Sequence, residues 1–227
     1  MSTALIGREH ELAAIESLLA DVERGPRALV LSGEPGIGKT VLWEASGEWA
    51  RERFGSVLTC RGVEAEASLS FAALSELLAP VFDQVSGSLL PPRRRALEIA
   101  LLRVEPGELA PDPHAIGLAV LDLFSVLAEQ GPLLVALDDL QWLDPGSAGV
   151  LQIALRRLRA ESVGLLATVR TSPEIAVAFE LERSFPEERL VHLTLGPLSL
   201  GAIHRLLRER LGLELTRPEL ARVQEAT

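Results

Sequence analysis

Residues 33–40 read Gly33-Glu34-Pro35-Gly36-Ile37-Gly38-Lys39-Thr40. They satisfy every required position of the pattern G-x-x-x-x-G-K-[ST]. Just upstream, residues 28–32 (ALVLS) form an apolar run too short for a helix, which reads as a buried strand. Downstream, residues 39–53 read as a helix. Strand, glycine-rich loop and helix, in that order, are what a phosphate cradle requires. Gly33, Gly36 and Gly38 let the backbone turn tightly around a small anion. The loop runs through Glu34, Pro35 and Ile37 and on to Val41; its N–H groups, which proline alone lacks, surround that anion, and the helix presents its positive end to it. Lys39 is expected to reach the β- and γ-phosphates, and Thr40 to set its hydroxyl on Mg2+. Lys39 is also the only lysine among 22 basic residues. An ammonium is a compact point charge, whereas a guanidinium is a wide planar fork. A tight loop around a phosphate oxygen has room for the first, so keeping one lysine here points to a functional site.

Phosphoryl chemistry also needs an acid for the metal. Residues 133–137 are wholly apolar and lead into Asp138-Asp139. Asp138 is the candidate to hold Mg2+, through water. Asp139 either orients or deprotonates an attacking water, or only caps the strand end. Residues 164–169 form another buried strand, followed by Arg170. In a parallel sheet the C-terminal strand ends share one edge, which brings Arg170 near the loop and Asp138. There it either reads a γ-phosphate or pairs with a surface acid. Arg156, Arg157 and Arg159 either favour the negative end of their helix or face a neighbouring subunit's nucleotide. Trp142 reads as a packing or lid contact, and Cys60 as a small buried residue.

The rest of the chain alternates in the same way. Periodicity predicts helices over residues 9–20, 71–82, 93–103, 115–129, 144–160 and 199–211, with a further helix opened by Ser172-Pro173-Glu174. Strands are expected over 56–61 and 190–193. The fold class is therefore α/β: a three-layer sandwich with a parallel, five-stranded sheet covered on both faces. Residues 1–197 form the expected nucleotide-binding domain. Residues 198–227 read as the start of a second, helical unit, in a chain cut from something longer.

Composition narrows the function classes. Apolar residues are 48% of 227, enough for a sizeable core. A net charge of −10 argues against broad nucleic-acid binding by these residues. A single cysteine permits no internal disulfide, and no two of the four histidines sit at zinc-ligand spacing. The N-terminus is not a signal peptide, and no apolar stretch is long enough to span a membrane, so a soluble cytoplasmic domain is expected.

Taken together, these segments resemble the N-terminal ATPase domain of the large LuxR-type bacterial transcriptional regulators, within the STAND branch of the AAA+-like P-loop NTPases. Residues 6–19 (IGREHELAAIESLL) resemble the family's opening segment, GEPGIGKT its phosphate loop, and residues 133–147 (LLVALDDLQWLDPGS) its acidic strand and turn. LLATVR (165–170) resembles its sensor strand, and LGPLS (195–199) the approach to its small helical lid. The resemblance implies a sheet order of 5-1-4-3-2 and a position for Gly7 and Arg8 beside the adenine. It implies ATP or ADP with Mg2+ as ligands, slow hydrolysis that resets a switch, and self-association in the ATP state. DNA would be bound only by a C-terminal domain outside these residues. The same module resembles those of nucleotide cyclases and kinases, so an ATP-binding scaffold of another signalling protein is the alternative.

Overall fold

The computed structural model describes residues 5–106, 112–171 and 179–225. Helix α1 (Glu9–Ala20) leads to strand β1 (Arg27–Gly33), and helix α2 (Lys39–Arg51) follows the loop. Strand β2 (Ser56–Arg61) is next, then helices α3 (Ala72–Val85), α4 (Pro91–Ala100) and α5 (Pro113–Glu129). Strand β3 (Leu133–Asp138), helix α6 (Pro145–Leu155) and strand β4 (Val163–Arg170) continue the alternation. Strand β5 (Leu190–Thr194) and helices α7 (Leu200–Leu211) and α8 (Arg217–Glu225) complete the described elements.

The five strands lie in the order β2-β3-β4-β1-β5, and every neighbouring pair is parallel. This is the expected order, read from the opposite edge. All six residues of β3 are buried, as its central place demands. Within such an apolar run the two faces still alternate. Leu133, Val135 and Leu137 face α3–α6, with Ala28, Val30, Leu165 and Ala167 beside them. Leu134 and Ala136 face α1 and α2, with Leu29, Leu31 and Leu166. Each fully buried leucine contributes about 1.5–3 kcal/mol by leaving water. The result is a sheet between two helical layers.

Several helix ends differ from expectation. Helix α6 stops at Leu155, not near Ala160. Arg157 N–H bonds to Ala154 and Leu158 N–H to Leu155, so three-residue turns replace the helical ladder and fold Leu158 into the core. Glu161 then accepts from the Arg159 and Ala160 amides at 2.6 and 3.0 Å, which ends the turn. Helix α4 begins at Pro91, where proline's fixed φ suits a first turn, and ends three residues short of Arg103. Helix α3 runs on to Val85. The helix expected from Ser172-Pro173-Glu174 lies outside the described residues. No helix among the described residues is long and apolar enough to cross a membrane.

Asp144 caps α6 as its place before Pro145 suggests, accepting from Ser147 N–H at 2.8 Å. Its carboxylate also accepts from the Phe71 and Ala73 amides at 2.8 and 3.2 Å. Ser147 Oγ accepts from Leu74 N–H at 2.9 Å. One buried side chain thus serves the N-termini of two helices, pinning α3 to the turn that follows β3.

Candidate nucleotide site

The loop after β1 is shaped by backbone that only glycine adopts cheaply. Gly36 has φ +80° and Gly38, which caps α2, has φ +104°; neither is crowded, so conformation rather than space requires glycine. The loop opens into a cleft lined by Pro35, Gly36, Gly38, Lys39, Thr40, Val41, Asp139 and Arg170. Glu34 and Pro35 are exposed on the loop and Ile37 packs inward against the α1–α2 side of the core. Lys39 is only 6% exposed. Its ammonium bends back over the loop and donates to the Gly33 and Glu34 carbonyls at 2.9 and 2.8 Å. A lysine has three donors, so this geometry leaves one for an anion in the cleft. Burial pushes the ammonium below its ordinary pKa; Asp139 opposes that shift, Arg170 adds to it and Asp138 opposes it.

Asp138, at the end of β3, is fully buried. Its Oδ2 accepts from Thr40 Oγ1 at 3.0 Å and from Arg61 Nε at 3.0 Å. Its Oδ1 accepts from Thr168 Oγ1 at 2.6 Å. Among the described residues no three His, Cys, Asp or Glu side chains form a metal cage. Mg2+ uses no such cage: it takes one or two carboxylates together with phosphate oxygens and water. Thr40 and Asp138, with adjoining oxygens beside the loop, fit that demand and could hold the ion.

Asp139 has φ +52° and makes no capping hydrogen bond. Its carboxylate turns instead to Gln141 Nε2 at 2.7 Å and Arg170 Nε at 3.3 Å. Gln141 Oε1 accepts from Arg170 N–H at 3.2 Å, closing a small network on the cleft rim. The structure therefore brings Lys39, Thr40, Asp138, Asp139 and Arg170 together.

Gly7 and Arg8 sit differently. A Cβ on Gly7 would lie 2.3 Å from that of Ala202 in α7, so glycine is needed for that close approach. Arg8 is buried and donates to the Ile37 carbonyl at 2.7 Å and to Glu11 at 2.9 Å, which ties α1 to the loop. Arg157 donates to the Ile153 carbonyl at 2.9 Å, matching the helix-end reading.

Three residues of the site escape a reading by motif. Thr168 is a fully buried hydroxyl inside β4 that also accepts from Asp139 N–H at 2.8 Å. A lone polar residue in the apolar LLATV run was the available signal. Arg61 ends β2 in register with Asp138, so the strand-end rule that located Arg170 applies to it equally. Gln141 carries no comparable signal. Cys60 is buried, donating to Glu76 at 3.4 Å; burial and the Glu76 charge push its thiol pKa up. Because the thiolate is the nucleophile, Cys60 is expected to resist alkylation in the folded protein and to react once it unfolds. Rapid labelling of folded protein at neutral pH would contradict this.

The family model described as AAA ATPase domain matches residues 4–167, most of the chain. The chain belongs to the AAA ATPase domain family. Its fold is similar to that of a chain in the E. coli MS115-1 HORMA:CdnC:Trip13 complex (TM-score 0.55, 14% identity, covering 98% of this chain and 74% of that one). It is also similar to AMPPCP-bound DnaA from Aquifex aeolicus (TM-score 0.53, 16% identity, 97% and 57%). A third likeness is to the Aeropyrum pernix ORC1 protein in complex with DNA (TM-score 0.50, 18% identity, 92% and 50%). This AAA domain thus spans roughly half to three quarters of those chains. No match is found among curated proteins. The chain is an AAA+ P-loop ATPase domain with a nucleotide-binding fold.

Proposed function

We propose that this AAA domain is a nucleotide-driven switch with slow, Mg2+-dependent ATP hydrolysis. Its nucleotide state would control self-association of a longer STAND protein of the LuxR-type transcription regulators, with DNA bound only by a domain outside these residues. In this reading residues 1–197 form the nucleotide-binding domain and residues 198–227 begin a helical lid. The backbone N–H groups of the loop, on to Val41, and the Lys39 ammonium hold the phosphates, and Gly7 and Arg8 lie beside the adenine. Thr40 and Asp138 hold Mg2+, which when bound neutralises charge on the β- and γ-phosphate oxygens. Asp139 orients the attacking water, and Arg170 reads the γ-phosphate.

The observation that carries this reading is the Arg170–Asp139 pair, 3.3 Å apart on the rim of the cleft that Lys39 lines. A γ-phosphate gives Arg170 a second anionic partner, and a diphosphate does not. When Arg170 turns to the phosphate, Asp139 is released to act on water. Two ligands thereby favour two arrangements of the same side chains, which is the requirement for a switch. Moving an equilibrium from 1:99 to 99:1 takes about 5.5 kcal/mol of differential binding, of which this arginine supplies part.

Calorimetric titration with ATP and ADP, each with Mg2+, tests the assignment. Arg170→Ala is expected to reduce the ATP/ADP affinity ratio by about ten-fold, the value of one charge-assisted hydrogen bond lost in the triphosphate complex alone. An unchanged ratio would sink the switch reading. The scaffold alternative draws on one feature: Asp139 is a short side chain already held by Gln141 and Arg170. It predicts tight ATP binding without phosphate release.

A further inference from the structure

Asp138 is a buried carboxylate, and such a charge persists only when it is paired. Two of its three side-chain donors, Thr40 and Thr168, are neutral hydroxyls. The third is the Arg61 guanidinium, whose Nε lies 3.0 Å from Oδ2. That oxygen is also the acceptor from Thr40, so it borders the position assigned above to Mg2+. A guanidinium against Oδ2 excludes a hydrated divalent ion from the same oxygen, both by volume and by like-charge repulsion.

Arg61 is not confined to that contact. Its side chain is 46% exposed, against 1% for Asp138. Its other end donates to Glu44 Oε1 at 3.1 Å, and its guanidinium centre lies 5.7 Å from the Trp43 ring centroid. Glu44 and Trp43 both lie on α2, a turn beyond Thr40. They offer the arginine an acid and an aromatic face away from Asp138.

We infer that Arg61 is a built-in competitor for the Mg2+ position: it holds Asp138 Oδ2 and withdraws onto Glu44 and Trp43 when nucleotide and metal bind together. The inference rests on the reading that Mg2+-nucleotide occupies this cleft. Arg61 then balances the Asp138 charge whenever the metal is absent, and sets the Mg2+ concentration at which the site fills.

The test is calorimetric titration of the chain with ADP, in excess MgCl2 and in EDTA, for wild type, Arg61→Ala, Arg61→Gln and Arg61→Lys. The quantity read is the dissociation constant in EDTA divided by that in Mg2+. Without the competitor this ratio is expected to rise at least about five-fold in Arg61→Ala and Arg61→Gln, the scale of one charge-assisted hydrogen bond. Arg61→Lys, which keeps a cation beside Asp138, is expected to stay near wild type. A merely structural arginine would weaken binding equally in both media and leave the ratio unchanged, which overturns the inference. A falling ratio overturns it too, because it makes Arg61 a helper of the metal complex. Failure of wild-type protein to bind ADP in either medium would remove the switch reading and this inference with it. Binding with an unaltered ratio removes only the inference.

Discussion

Lys39→Ala is expected to weaken ATP binding by at least about 100-fold, the cost of losing a charge-assisted contact to phosphate at a largely buried position. The lysine is 6% exposed, and its ammonium already lies on the Gly33 and Glu34 carbonyls. Two effects therefore combine. The phosphates lose their one loop cation, and the loop loses the tie that shapes it. Lys39→Arg is expected to fail as well, because a planar fork does not fit between two carbonyls 2.8 and 2.9 Å from a single nitrogen. Titration calorimetry with ATP and Mg2+, beside a melting curve showing that each variant folds, makes the measurement. Binding within about three-fold of wild type, well under the loss set by one such hydrogen bond, would remove Lys39 from the site.

Asp144→Ala is expected to cost about 3–5 kcal/mol of stability. Loss of the α6 cap accounts for about 1–2 kcal/mol. The Phe71 and Ala73 amides are left without their acceptor at the start of α3, for about 1 kcal/mol or more each. In a domain of this size that lowers the melting temperature by about 10 °C. Asp144→Asn keeps an acceptor oxygen and is expected to lose roughly half as much. Denaturant unfolding of the three proteins reads the difference. A loss below about 1 kcal/mol for the alanine variant, no more than an ordinary exposed cap, would mean that α3 is not anchored through this side chain.

Much of the site was legible because its signals are local. The phosphate loop is eight consecutive residues, and the acid of β3 directly ends an apolar run. Arg170 was located by a rule about strand ends, and it does line the cleft. Arg61 obeys the same rule at the end of β2, yet an arginine before a glycine also describes an ordinary exposed turn. Its partner is 77 positions away, so nothing nearby in the chain marks it. The two readings of Asp139 stayed open for a similar reason. Only its turned backbone and its partners Gln141 and Arg170 show that the carboxylate faces the cleft instead of capping the next turn. The end of α6 at Leu155 is not legible in the sequence, because residues 156–160 remain good helix formers. Glu161 stops them by capturing two amides, and helix propensity does not register that event.

By itself the sequence determined the alternating strands and helices, the parallel three-layer class and the place of the phosphate loop. Each follows from short-range properties: apolar run length, helical periodicity and glycines where the backbone turns. Tertiary structure decided which face each strand residue takes, since an all-apolar run such as residues 133–137 of β3 shows no alternation in its pattern. It also decided which charges meet. Thr40 reaches Asp138 across 98 positions, Arg61 across 77 and Arg170 reaches Asp139 across 31. Those encounters are set by strand order and register, which depend on the whole sheet packing at once and leave no trace in local spacing.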